Sequence, residues 1–442
     1  MMSSSEEKEI TTLIQSFPSL RMEEDKQREI AGRIRQEKEL LMRIKRRKTV
    51  SKAMAVIAAS FALLLIAYQA VISMESPYAK SAQIKNESVS PGTTAADTIE
   101  QKAKVTTINP QIQAYVEEAL NKTNQVYSPE SMTVIVTDPH TGEILAMANR
   151  MQNKSAKEQE YAGRAIPDPV PAYPIVTMAA AIQEGKFDPH EIYDSGTYEV
   201  APGKLIKDHN NGIGWGEITY MEGVLRSSSV AFAKLGNEHL QKGVLEEYLK
   251  RFGFGNQTGV ELEGEEAGSL PTMGTPYEVG NAAIGKGATA TALQQVAALG
   301  VIANGGELMR PHLYKNADKD TKSQYMVRQV ISEEAAKQVR EILESAVSSK
   351  FASLRVLFKL DEYSVAGNSG VAPKYDAQGN VIDGKNIATF IGFAPSDDPK
   401  LLIYVSVDEP KADPMVSLWW GPIISPIFKD VMAKSLQHLQ QQ

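Results

Sequence analysis

Met132-Thr133-Val134-Ile135-Val136-Thr137, then Asp138-Pro139-His140-Thr141-Gly142, then Glu143-Ile144-Leu145-Ala146-Met147-Ala148-Asn149 reads as two strands joined by a turn. The flanking runs are rich in β-branched and apolar residues, and the five between them are turn formers, so the stretch predicts a β-hairpin. Outward from it the periodicity changes. Ile175 to Gly185 reads as a helix, because Ala179, Ala180, Ala181 and Ile182 favour one and Gly185 ends it. Tyr220 to Leu240 places Val224, Leu225, Phe232 and Leu235 on a helical period, and Thr291 to Ala303 is an apolar helix closed by Asn304-Gly305-Gly306. Asn386 to Phe393 and Leu401 to Val407 are successive strands around a turn at Pro395 to Pro399, and a last helix follows Pro426. Strands near both ends with helices between them predict an α+β domain with an antiparallel sheet flanked by helices.

Composition narrows the chemistry. The chain has no cysteine, which excludes disulfides and thiolate chemistry, and its six histidines show no metal-ligand spacing. A net charge of −7 gives no reason to expect nucleic acid as a partner. Residues Ala53 to Met74, AMAVIAASFALLLIAYQAVISM, hold no charge over a length that crosses a bilayer. Arg43, Lys45, Arg46, Arg47, Lys48 and Lys52 precede this run, which predicts a cytoplasmic N-terminus and an extracytoplasmic remainder. Four segments follow: cytoplasmic amphipathic helices over 1–48, a transmembrane helix over 49–74, a flexible linker over 75–104 and a folded domain over 105–442. In the first, Ile10, Leu13, Ile14 and Phe17 share a helical face before Pro18, and Ile30, Ile34, Leu41 and Ile44 repeat the pattern. Two such short helices bury little apolar surface by themselves, which suits a partner-binding role.

Several segments are similar to class B penicillin-binding proteins, in the family's order. They are Thr137 to Met147; Arg251-Phe252-Gly253-Phe254-Gly255 with Thr258-Gly259-Val260; Ala283-Ile284-Gly285-Lys286-Gly287 with Thr291-Ala292-Leu293-Gln294; Ala303-Asn304-Gly305-Gly306; and Phe390-Ile391-Gly392-Phe393-Ala394-Pro395. The resemblance implies a serine transpeptidase fold, with an antiparallel sheet and an all-helical lobe, and a D,D-transpeptidase site made of three motifs. The N-terminal Ile10-x-x-Leu13-Ile14-x-x-x-Pro18 pattern and the basic helix after it resemble membrane-anchored anti-sigma factors.

The sequence departs from the family at each motif. Ser-x-x-Lys puts a nucleophile and its base on one helical face. Here Asp168-Pro169-Val170-Pro171-Ala172-Tyr173-Pro174 aligns Pro171 with the serine and Pro174 with the lysine. The one Ser-x-x-Lys in the chain, Ser5 to Lys8, falls in the cytoplasmic segment. Ser-x-Asn aligns with Ser227-Ser228-Ser229, which keeps the first hydroxyl and puts Ser229 in place of the amide. Lys-Thr-Gly-Thr aligns with Asn368-Ser369-Gly370-Val371, which loses the cation and the last hydroxyl. His209 reads as a loop histidine and Trp419-Trp420 as packing beside the sheet. The expectation is therefore a catalytically inactive domain, with no cofactor and no metal. Its groove of Ser227, Ser229, Asn368, Ser369, Gly370 and Val371 would still hold a peptide. Partners implied are a peptidoglycan peptide or wall-synthesis protein outside, a regulator such as a sigma factor on residues 1–48, and membrane lipid. An active transpeptidase and a non-catalytic scaffold of a wall-synthesis complex are the alternatives.

Overall fold

The hairpin forms as its sequence dictates and lies within a five-stranded antiparallel sheet. Its strands are β1 (Ser131–Thr137), β2 (Ile144–Met151), β3 (Ala366–Tyr375), β4 (Val381–Ala394) and β5 (Leu401–Asp408), in the order β3-β4-β5-β1-β2. The computed structural model describes residues 105–152, 165–167, 171–315, 321–349, 354–376, 378–411 and 421–441, all within one compact unit, Ala95–Gln442. The predicted membrane span, the linker, the N-terminal helices and Trp419-Trp420 lie outside the described residues. None of the described helices is long and apolar enough to cross a membrane.

Strand alternation gives the sheet two apolar faces. Val134, Val136, Phe390, Ile403 and Val405 pack beneath helices α1 (Pro110–Tyr127) and α8 (Gly421–Leu439). Ile135, Ile144, Ile391, Phe393, Leu402 and Tyr404 face a helical lobe. The lobe includes α2 (Ala172–Gln183), α3 (Tyr220–Leu225), α4 (Ser229–Lys234), α5 (Pro276–Ala283), α6 (Ala292–Ala303) and α7 (Glu333–Ser348). Every residue of α6 is buried, as an apolar helix without a polar face requires.

Three boundaries differ from the sequence expectation. Helix α2 starts at Ala172, ahead of Ile175, because prolines are tolerated in a first turn whose N–H groups lack intrahelical partners. It ends as expected, with Gly185 at φ +65° and Lys186 N–H donating to the Ala181 carbonyl at 2.8 Å. The helix expected over Tyr220–Leu240 is broken after Leu225 by Ser227 at φ +53°, and its last six residues, Leu235–Leu240, wind as a π-helix. Helix α8 begins at Gly421 and keeps Pro426 inside it, where burial of Ile423, Ile424, Ile427 and Phe428 offsets the lost ladder bond.

The edge strand β3 is held by charge at its far end. Lys374 donates to Glu130 and to both oxygens of Asp408 at 3.1 Å, and pairs with Glu409 at 2.7 Å, where Lys385 also arrives. Desolvation opposes the Lys374 charge, but Glu409, Asp408 and Glu130 outweigh it and raise its pKa. Glu409 is also desolvated, yet hydrogen bonds from Lys374 and Lys385 prevail and lower its pKa, whereas burial raises that of Asp408. A depressed carboxylate contributes stability that is present above its unfolded pKa and lost as pH falls through the folded one. Lys374→Met is expected to cost about 1–3 kcal/mol at pH 7, read from urea midpoints. That penalty should shrink below about pH 4 as the carboxylates protonate. A penalty unchanged at pH 3 would count against the network.

Candidate ligand groove

The first of the candidate positions lies at the start of α2. Pro171 is the N-cap residue of that helix and is buried, and Pro174 sits in its first turn. Ala172 to Ala181 are all buried, and the Thr177 hydroxyl donates to the Ala283 carbonyl at 2.8 Å, pinning α2 to the end of α5. Tyr173 turns inward against Phe254, ring centroids 4.6 Å apart, and burial pushes its hydroxyl pKa well up. Its position makes it a core residue rather than a proton donor to the groove.

The edge strand reaches this helix start directly. Asn368 donates its side-chain amide to the Pro171 carbonyl at 3.2 Å, across 197 positions of sequence. Register separates the four candidates on β3. Asn368 and Gly370 stand opposite Ile391 and Thr389, on the lobe face, whereas Ser369 and Val371 stand opposite Phe390 and Ala388, on the other face. The side chains of Ser369 and Val371 therefore point away from α2, contrary to a convergent set of four. β3 pairs only with β4 among the described strands, and an unpaired strand edge is the kind of element to which an extended peptide can add.

The candidate serines lie in the segment between α3 and α4, and α4 packs against α2. Ser228, rather than Ser227, is the helix cap: its hydroxyl accepts from Ala231 N–H at 3.1 Å. That hydroxyl in turn donates to Asp208 at 2.8 Å. The same buried carboxylate accepts from Val230 N–H at 3.0 Å and Gly196 N–H at 2.7 Å. Ser227 and Ser229 flank this anchor, half-buried, and neither hydroxyl is hydrogen-bonded among the described residues. Among the described residues, no hydrogen bond joins the Ser227 hydroxyl to a lysine or histidine. His209 is exposed and tilts against Trp215, with centroids 5.5 Å apart, and the Arg226 guanidinium lies 5.4 Å from the Trp215 ring. Asp208 was the residue that sequence reasoning passed over. Its signal was an acidic residue at the end of the Lys204–Lys207 strand, just before a glycine-rich loop.

Glu130, Asp408 and Glu409 are close enough to hold a metal ion, but Lys374 already supplies the cation among them. Among the candidates, the Asn368 amide meets the Pro171 carbonyl, and the Ser227 and Ser229 hydroxyls flank the Asp208 anchor. These are hydrogen-bonding groups suited to holding a chain in place.

Comparison with known proteins agrees with this architecture. The family model described as "Penicillin binding protein transpeptidase domain" matches residues 132–433. "Stage V sporulation protein D" of Bacillus subtilis is 36% identical over 353 residues, 75% of this chain and 53% of that protein. The "Probable peptidoglycan D,D-transpeptidase PenA" of Neisseria flavescens is 28% identical over 346 residues, 76% of this chain and 82% of that one. The chain thus spans about half the length of the B. subtilis relative and most of the Neisseria one. Among solved structures, the TP domain of Burkholderia pseudomallei penicillin-binding protein 3 superposes with a TM-score of 0.66 at 24% identity, over 76% of this chain and 96% of that one, a likeness of fold.

Asp208→Ala would strand the Ser228 hydroxyl and two buried N–H groups. Its expected cost is on the order of 3 kcal/mol, read as a lowered denaturation midpoint. Ser229→Ala should stay within about 0.5 kcal/mol. Equal midpoints for the two variants would contradict the role given to Asp208.

Proposed function

The chain belongs to the penicillin-binding-protein transpeptidase family, and from that premise we propose that it is a catalytically inactive member. In this reading it binds a peptidoglycan peptide and reports on the cell wall. The observation that carries the proposal is Pro171 at the start of α2, its carbonyl held by Asn368. In the family alignment this is the place of the nucleophile. Proline has no hydroxyl to attack a carbonyl and no N–H to stabilise an oxyanion. Losing one such donor alone lowers a rate by roughly 10² to 10³. Pro174 cannot serve as base, and Asn368 replaces a cation with a neutral amide. Ser227, Ser229, Asn368 and Gly370 would then line a site that binds without cleaving, with the β3 backbone as its ladder.

The regulatory half of the reading rests on the sequence before residue 75. An amphipathic pair of helices, a charge-free run of membrane-spanning length and a polar linker suit a single-pass protein with residues 1–48 in the cytoplasm. We assign those residues a cytoplasmic partner of the sigma-factor kind. The Ser, Thr, Asn and Lys content of residues 75–104 is that of a spacer, and signalling by clustering or proteolysis suits such a spacer better than rigid transmission. A scaffold role in a wall-synthesis complex is the nearest alternative. The enzymatic alternative draws on the names of the relatives, one of which is a probable peptidoglycan D,D-transpeptidase.

Titrating the full-length chain in detergent with the stem pentapeptide L-Ala-γ-D-Glu-L-Lys-D-Ala-D-Ala should give saturable binding and no free D-alanine. Release of D-alanine would overturn inactivity, and absence of binding would overturn the ligand. A pull-down from membranes, comparing the full chain with one lacking residues 1–48, should recover a sigma factor only with the former. Recovery of wall-synthesis proteins by both would favour the scaffold.

A further inference from the structure

Helix α5 packs on α2 through the Thr177–Ala283 hydrogen bond, and elsewhere on its surface it borders a cavity of about 250 Å³ outside the groove. Pro271, Thr272, Tyr277, Glu278, Asn281 and Lys286 line it. The chain leads from this cavity through Thr289–Thr291, which pairs with Ala165–Pro167 just ahead of Pro171. The chain that lines the cavity therefore leads into the short β-ladder that precedes α2 in the sequence.

The cavity lining combines an anion with a cation. Glu278 is fixed by the Thr272 hydroxyl at 3.1 Å and by the N–H and hydroxyl of Thr275 at 2.9 and 3.1 Å. Those hydrogen bonds, Thr272 first, lower its pKa and keep it anionic, which disfavours phosphates and carboxylates. Lys286 forms no ion pair with the described residues, and Lys204 stands 5.6 Å from the Tyr277 ring centroid, which disfavours cations. A ligand without net charge that both donates and accepts hydrogen bonds suits this lining. Glu278 accepts, Lys286 donates, and Asn281, whose amide donates to Tyr277 O at 3.0 Å, keeps an acceptor oxygen. The Tyr277 and Pro271 rings add apolar surface, the combination expected of a small-molecule site with a few placed polar groups.

We propose that this cavity is a saccharide subsite that takes an N-acetylhexosamine unit of a glycan, beside the peptide groove. The proposal rests on the peptidoglycan reading above and extends it, so that one wall fragment would meet the lobe through both its sugar and its peptide. The probe is N,N′,N″-triacetylchitotriose, titrated into the full-length chain in detergent by saturation-transfer NMR, with maltotriose as control. Chitotriose should bind and maltotriose should not. Tyr277→Ala should weaken binding about tenfold, and Lys286→Ala should weaken it too, both without loss of pentapeptide binding. No chitotriose binding, equal binding of maltotriose, or full affinity in both variants would each overturn the subsite. Because the pentapeptide is read separately, a failed sugar titration leaves the groove reading standing or falling by itself.

Discussion

A helix buried along nearly its whole length organises this domain. Ala172 to Ala181 touch core on every side, so α2 cannot shift without opening the cluster that joins the sheet to the lobe. That constraint explains why prolines are tolerated here. A first helical turn has N–H groups without intrahelical partners, and proline removes donors that the helix does not use. Chemistry can be lost at this point while packing is kept. A substitution further along α2 would have forfeited both.

The groove inherits its shape from what surrounds α2. Asn368 bonds the edge strand to the helix start, Lys374 ties the far end of the same strand to the sheet, and Asp208 holds the serine segment. These three anchors are hydrogen bonds to charged or amide groups at well-defined distances. They fix the edge strand and the serine segment, the two elements that the proposed binding groove needs in place.

Much of the fold was legible because it rests on local signals. The Asp138–Gly142 turn, the apolar strands Asn386–Phe393 and Leu401–Val407, and the all-apolar Thr291–Ala303 run each carry their own period. The strand order was not legible, since the neighbours β1 and β5 are separated by the entire lobe. Within the site, Pro171 and Asn368 were legible as departures from a family pattern. Their contact was not, because it spans 197 positions. Asp208 was missed for a related reason: a buried carboxylate that satisfies backbone N–H groups leaves no periodic trace. The opposed facing of Ser369 and Val371 needed only the two-residue period of a strand, which family alignment alone does not apply.

Acylation is the most direct measurement. The full-length chain, incubated with a fluorescent penicillin beside an active relative and then denatured, should carry no label while the relative is labelled. A label that survives denaturation would place a nucleophile in this groove and contradict its reading as a site that binds without chemistry.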